Sequence, residues 1–138
     1  MLSKDDVIEA LSLDLLKRGY AIVRRARGRT KGADIIARDP ESKTKLLISA
    51  AGPSRKEAAK FEKGTPRTES QALQCMTRSV YSALRMSKED RFGPGDQLAL
   101  AFPDGAACRK YLAVQKPAFD SLGVKIFVVK KDNEVRAL

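Results

Sequence analysis

The chain has 138 residues, 32% charged and 43% apolar, with a formal net charge of +10. That is enough to close one hydrophobic core as a single domain over residues 1–138 without disulfide or metal staples, and the composition is too apolar and too free of repeats for a disordered chain. No apolar run approaches the roughly 20 residues of a membrane span, and the start MLSKDDVIEA lacks the basic-then-apolar order of a secretory signal, so the expectation is a cytoplasmic protein with no membrane partner.

Ser3, followed three residues later by Asp6, makes a capping box. Val7, Ile8, Leu11 and Leu15 then recur at helical spacing until Gly19, which predicts a first helix over about 3–18. Residues 20–25 (YAIVRR) are short and β-rich and read as the first strand. RGRTK at 27–31 is a basic turn, and ADIIAR at 33–38 is a second strand closed by Asp39 and Pro40. KLLISAA at 45–51 makes a third, paired with the second as a hairpin. Its two-residue period puts Lys45, Leu47, Ser49 and Ala51 on one face and Leu46, Ile48 and Ala50 on the other.

Residues 53–67 (PSRKEAAKFEKGTPR) are polar, basic and bracketed by prolines, a solvent-facing excursion with at most a short helix. Thr68 with Gln71 repeats the capping box, and Leu73, Met76, Val80 and Leu84 form the core face of a helix reaching about Met86. QLALAF at 97–102 is a continuous apolar run, as suits a strand buried on both sides. Asp104 is positioned to cap a further helix, which Pro117 is expected to kink or divide and Gly123 to end. VKIFVVK at 124–130 is another buried strand, and the turn at Asp132 and Asn133 returns 134–138 as a short edge strand. The strand–helix–strand unit in the C-terminal half needs a right-handed crossover, which makes that part of the sheet parallel. The expected class is therefore α/β with one mixed sheet.

The chain has no histidine and two cysteines, Cys75 and Cys108. A Cys/His zinc cluster, a Ser-His-Asp triad and a Cys-His pair are thereby excluded. Both cysteines fall on apolar helix faces, where a buried inert thiol is expected. Gly28, Gly32 and Gly52 fit neither GxxxxGK[ST] nor GxGxxG, so no nucleotide cofactor is implied. The charge is uneven: between Arg24 and Arg67 there are 13 Lys/Arg against 5 Asp/Glu. Such a field either draws a polyanion, most often nucleic acid, or serves solubility.

A helix ending in KRGYAIVRRARG, then GADIIA, then LLISAAG resembles the core of the restriction-endonuclease-like, or PD-(D/E)XK, nuclease superfamily. These segments also resemble the core of archaeal Holliday-junction resolvases and Mrr-type restriction enzymes. The resemblance covers most of the chain and implies a three-layer sandwich with a central mixed sheet of about five strands in the order α-β-β-β-α-β-α-β. Such families place a carboxylate in helix one, an Asp at the start of the second strand and an acid-x-Lys triplet on the third. The carboxylates hold Mg²⁺, which activates water and neutralises the scissile phosphate, and the lysine positions or deprotonates that water.

Under this resemblance Asp34 takes the second-strand position, as a catalytic residue and metal ligand if the site is active, and Glu9 is the helix-one counterpart. The third strand breaks the pattern, with Ser49 where the acid belongs and Ala51 where the lysine belongs. A hydroxyl is a poor Mg²⁺ ligand and a methyl has no proton chemistry. Lys45 lies six residues of strand away, roughly 20 Å, and cannot compensate. A restored site would need Lys56, Lys60, Lys63 or Glu69 to move into the gap. The bland alternatives are a strand-edge Asp34 paired with an arginine, a solvated Glu9, and small residues at 49–52 that let a helix pack closely.

Three functions compete. The first is a catalytically impaired nuclease-fold protein that binds nucleic acid, duplex or branched DNA before single strands because aromatics are only 6%. Arg24, Arg25, Arg27, Arg29 and Lys31 would meet phosphates, with Arg55, Lys56, Lys60, Lys63 and Arg67 as a second clamp. The second is a Mg²⁺-dependent endonuclease with migrated groups; the expected cofactor is none, or Mg²⁺ if the site is active. The third is a non-catalytic protein-interaction module. The resemblance also leaves a homodimer open.

Overall fold

The computed structural model describes residues 1–25, 32–62, 68–89 and 92–138. Helix α1 (Lys4–Lys17) starts at the expected capping box: the Asp6 N–H donates to Ser3 Oγ at 3.1 Å and the Ser3 N–H to the Asp6 carboxylate at 2.8 Å. Its apolar stripe Val7, Ile8, Leu11 and Leu15 is buried, and Gly19 at φ +92° turns the chain out of the helix in the left-handed region. Strands β1 (Ala21–Arg25), β2 (Ile35–Arg38) and β3 (Lys45–Ala50) follow as a meander. Then come α2 (Arg55–Glu62), α3 (Glu69–Glu89), β4 (Gln97–Pro103), α4 (Ala106–Ser121), β5 (Lys125–Val129) and β6 (Val135–Ala137).

The sheet has six strands in chain order, β1-β2-β3-β4-β5-β6. β1-β2, β2-β3 and β5-β6 are antiparallel, while β3-β4 and β4-β5 are parallel. The C-terminal return strand makes the count six rather than five. Both crossovers, through α3 and α4, step the same way along the sheet, so right-handedness puts both helices on one face. The opposite face is left to α1, and each face has its own core. On one, Val7, Leu11 and Leu15 pack with Ile35, Ile48, Ala99 and Phe127. On the other, Met76, Met86, Leu112 and Phe119 pack with Leu47, Leu100, Phe102 and Ile126. Burying such a side chain is worth about 1.5–3 kcal/mol, which is why the central strands read as unbroken apolar runs. Along edge strand β1 the register shifts between Ile22 and Arg24, a bulge that leaves Val23 exposed and disrupts the ladder where another chain could pair.

Several expectations need correction. The buried face of α3 is Met76, Ser79, Ala83 and Met86. Leu73 and Val80 are only partly buried against it, and Leu84 is exposed. The stripe read from leucines and valine is rotated from the true one because alanine and serine, the small residues that let α3 approach the sheet, carry little apolar signal. Asp104 does not cap α4. The N-cap is Gly105, with no side-chain cap bond, and Asp104 Oδ1 instead accepts the Gly105 N–H at 2.9 Å and meets Arg109 at 3.2 Å. Pro117 does not divide α4, which continues through it. Ala113, four residues earlier, and Pro117 are both exposed, so the carbonyl that loses its N–H partner faces water.

Strand directions gather one set of ends. The last residue of β1, the first of β2 and the last residues of β3, β4 and β5 share one edge of the sandwich. The start of α1 is tied there, with the Lys4 N–H donating to the Pro53 carbonyl at 2.8 Å.

Candidate functional site

Asp34 stands one residue before β2 and extends its ladder, its N–H donating to the Ile48 carbonyl at 2.9 Å. The side chain is buried, and both carboxylate oxygens have protein partners. Oδ2 accepts the Ala50 N–H at 2.8 Å, and Oδ1 lies 3.1 Å from Lys4 Nζ. The Lys4 side chain is 40% exposed against 8% for Asp34, so the pair is closed on the protein side and open at the ammonium. The arginine expected as partner is therefore a lysine, delivered by the first turn of α1.

Asp34 meets β3 at Ala50, between the two positions where acid and lysine were missing. Ser49 and Ala51 are both buried. Ser79 Oγ of α3 sits 3.1 Å from both the carbonyl and the hydroxyl oxygen of Ser49, and the Ala51 N–H donates to the Ala101 carbonyl at 2.8 Å. The tight-packing reading of 49–52 holds at Gly52. Its φ is +152°, and a Cβ there would stand 2.8 Å from the Lys4 backbone nitrogen. Without that glycine α1 could not bring Lys4 to the end of β3.

The other expected residues are spread out. Glu9 is exposed on α1, more than a turn from Lys4, and takes no part in the Asp34 cluster. Arg24 and Arg25 end β1, with Arg25 in register with Ile35 next to Asp34. Arg55, Lys56 and Lys60 are exposed on α2; Arg55 pairs with Asp5 of α1 at 3.4 Å. Glu69 pairs with Lys110 of α4 at 3.4 Å. Lys45 sits at the far end of β3, 3.7 Å from Asp96. Arg27, Arg29, Lys31, Lys63 and Arg67 lie outside the described residues.

A cleft of about 430 Å³ opens beside this cluster, bounded by the start of α1, the end of β3, α2 and α3. Lys4, Ser49, Arg55, Arg78 and Ser82 line it, together with the acids Asp5 and Glu57. Sequence reading missed Lys4, Arg78 and Ser79. Only Ser79 left a sign, as a serine three residues after Met76 on a helix face that is otherwise apolar.

Among the described residues, the groups around Asp34 do not assemble a Mg²⁺ site. Asp34 already has a cation and an N–H donor, and the described residues contain no group of three or more His, Cys, Asp or Glu side chains placed to hold a metal. The cysteines are free. Burial, with Asp104 nearby, pushes the Cys108 thiol up to about 11, in keeping with an inert core thiol, whereas Cys75 is only half-buried. No helix among the described residues is long and apolar enough to cross a membrane. Comparison of the chain with protein-family models, curated proteins and solved structures finds no match.

Proposed function

We propose that this protein binds nucleic acid through the sheet end at which β3 terminates, on a restriction-endonuclease-like fold whose hydrolytic groups have been replaced. One observation carries the reading. Asp34, where such a nuclease would hold its metal, is neutralised by Lys4 and flanked along β3 by Ser49 and Ala51. The same end carries Arg24 and Arg25 at the close of β1 and Arg55, Lys56 and Lys60 on the helix after β3. Cations at a sheet end contact backbone phosphate without regard to sequence. Duplex or branched DNA is the favoured partner.

Binding to a duplex and to a four-way junction, followed by fluorescence anisotropy at two salt concentrations, tests this. If about four phosphates are neutralised, affinity falls roughly 100-fold between about 50 and 200 mM salt. No binding at low salt leaves the protein-interaction module as the better reading. The relocated endonuclease has one point in its favour, a lysine beside Asp34. Plasmid cleavage in Mg²⁺ or Mn²⁺, abolished by both Asp34→Ala and Lys4→Ala, would replace the binding reading with that one.

A further inference from the structure

Two cavities meet at the end of β3, and Ala51, Gly52 and Cys75 line both. The first is the polar cleft beside Asp34. Arg78 of α3 is exposed at its wall. Arg55, whose side chain is 70% exposed, holds Asp5 in a pair of the solvated kind that exchanges readily for a stronger anion. The Ser82 hydroxyl adds a neutral donor. Asp5 and Glu57 offset part of this charge, so the cleft suits one phosphate held by guanidinium forks rather than a long polyanion.

The second cavity, about 410 Å³, is lined largely by apolar groups, Leu2, Phe61, Ala72 and Met76 among them. Its far wall is the first turn of α4, Gly105 to Ala107, beside the Asp104 carboxylate. α4 has no side-chain cap, so its first N–H groups offer donors and Asp104 an acceptor. An apolar slot edged with a few donors and acceptors suits a flat heteroaromatic ring, and each cavity is within the roughly 300–1,000 Å³ of small-ligand sites. A polar compartment next to an apolar one, with Ala51, Gly52 and Cys75 lining both, matches the two halves of a nucleotide.

We infer that the two cavities form one site for a 5′-nucleotide, its phosphate against Arg55 and Arg78 and its base over Met76 and Phe61. The inference rests on the nucleic-acid reading and narrows its ligand to duplex or branched DNA that presents an unpaired or terminal nucleotide, for which a short single strand stands in. Because a free mononucleotide shares this chemistry, the test includes both sources.

The full chain is titrated with a short 5′-phosphorylated single strand, the same strand without phosphate, a blunt-ended unphosphorylated duplex, and dTMP and dAMP as competitors. Arg78→Gln is expected to weaken the phosphorylated strand by about tenfold or more, the usual value of a charge-assisted hydrogen bond, and to remove its advantage over the unphosphorylated one. Ala72→Phe fills the apolar cavity from α3 and Ala107→Met fills it from α4. Either is expected to cut strand binding by a similar factor with an unchanged circular-dichroism melt, and the second variant keeps the test decisive if the first does not fold. Duplex binding unaffected by all three variants, with no preference for the phosphorylated strand, overturns the site and leaves the nucleic-acid reading standing. Binding of free nucleotide but of no strand or duplex upholds the site and overturns that reading.

Discussion

Removing Asp34 should unfold the protein more easily, and by an amount the geometry sets. The Ala50 N–H donates to Asp34 Oδ2 at 2.8 Å in a buried position. In Asp34→Ala that donor loses its acceptor, a cost of about 1–3 kcal/mol. The Lys4 ammonium also loses its partner, but its side chain is 40% exposed and rehydrates, adding at most about 1 kcal/mol. The variant should lose about 1–4 kcal/mol. Asp34→Asn keeps an oxygen for Ala50 and gives up the charge, so it should lose only about 1–2 kcal/mol. Lys4→Met leaves a buried carboxylate with one N–H donor and no cation. Because the pair opens to water at the lysine, its cost should be about 1–2 kcal/mol, below the 3–5 kcal/mol of breaking a fully buried pair. Urea melts with unchanged slopes give these values, and thermal melts should move by roughly 2–4 °C per kcal/mol. Combining Lys4→Met with Asp34→Asn should cost less than the two single losses together. The reasoning is refuted if Asp34→Ala stays within about 0.5 kcal/mol of the unaltered protein, or if the asparagine variant is the less stable of the two.

Gly52→Ala and Gly19→Ala separate backbone strain from steric conflict. Both glycines have positive φ, but a Cβ at Gly19 meets nothing within 4 Å whereas one at Gly52 meets the Lys4 backbone; the expected losses in urea are about 1 kcal/mol at Gly19 and 2–4 kcal/mol at Gly52, and equal losses would contradict the close approach of α1. For Asp96, burial opposes ionisation, but N–H donors from Lys45 and Gly93 and the Lys45 ammonium outweigh it and hold the carboxyl below its usual range. A depressed folded-state pKa stabilises above the unfolded value and loses that contribution as pH falls through the folded one, so the stability gap between the unaltered protein and Asp96→Asn should be level near neutrality and close below about pH 4; a gap that widens with acid would reverse the sign. Met86→Ala should cost about 2–4 kcal/mol by leaving a cavity while Leu84→Ala stays within about 0.5 kcal/mol, a contrast the leucine-and-valine stripe would have put the other way.

The fold was legible where local chemistry and burial agreed. Ser3 with Asp6 fixed one helix start and Thr68 with Gln71 another, the latter seen as mutual bonds of 2.9 and 3.1 Å. Gly19 and Gly123, both at positive φ, marked the ends of α1 and α4. The strand–helix–strand unit in the C-terminal half correctly implied that β4 and β5 run parallel; that β3 joins them in parallel and that α3 and α4 share a face came only with the structure. Reading failed where the deciding contact was long-range. Which side of α3 faces the sheet is decided by Ser79 reaching β3, 30 residues away, and no period in the helix itself records that. The start of α4 was misread because a carboxylate just before a helix satisfied a local rule while its actual partners were the Gly105 N–H and Arg109.

The same distinction governs the site. A strand motif can be checked position by position, so the absence of an acid at Ser49 and of a lysine at Ala51 is visible in seven letters; the geometry puts these residues on either side of the Ala50 whose N–H Asp34 accepts, with the Ser49 hydroxyl turned to Ser79 of α3. What neutralises Asp34 is another matter. Lys4 is the residue after a helix cap, and nothing about it singles it out until Gly52 admits the helix against β3 and the ammonium comes within 3.1 Å of the carboxylate. A buried carboxylate must have a cation, a donor or a proton, and here a side chain 30 positions away supplies the first. Under the resemblance Glu9 is the acid of α1, which requires this helix to deliver a ligand. It delivers a counterion instead, which balances the Asp34 charge and, among the described residues, leaves Arg55 and Arg78 as the cleft's other cations.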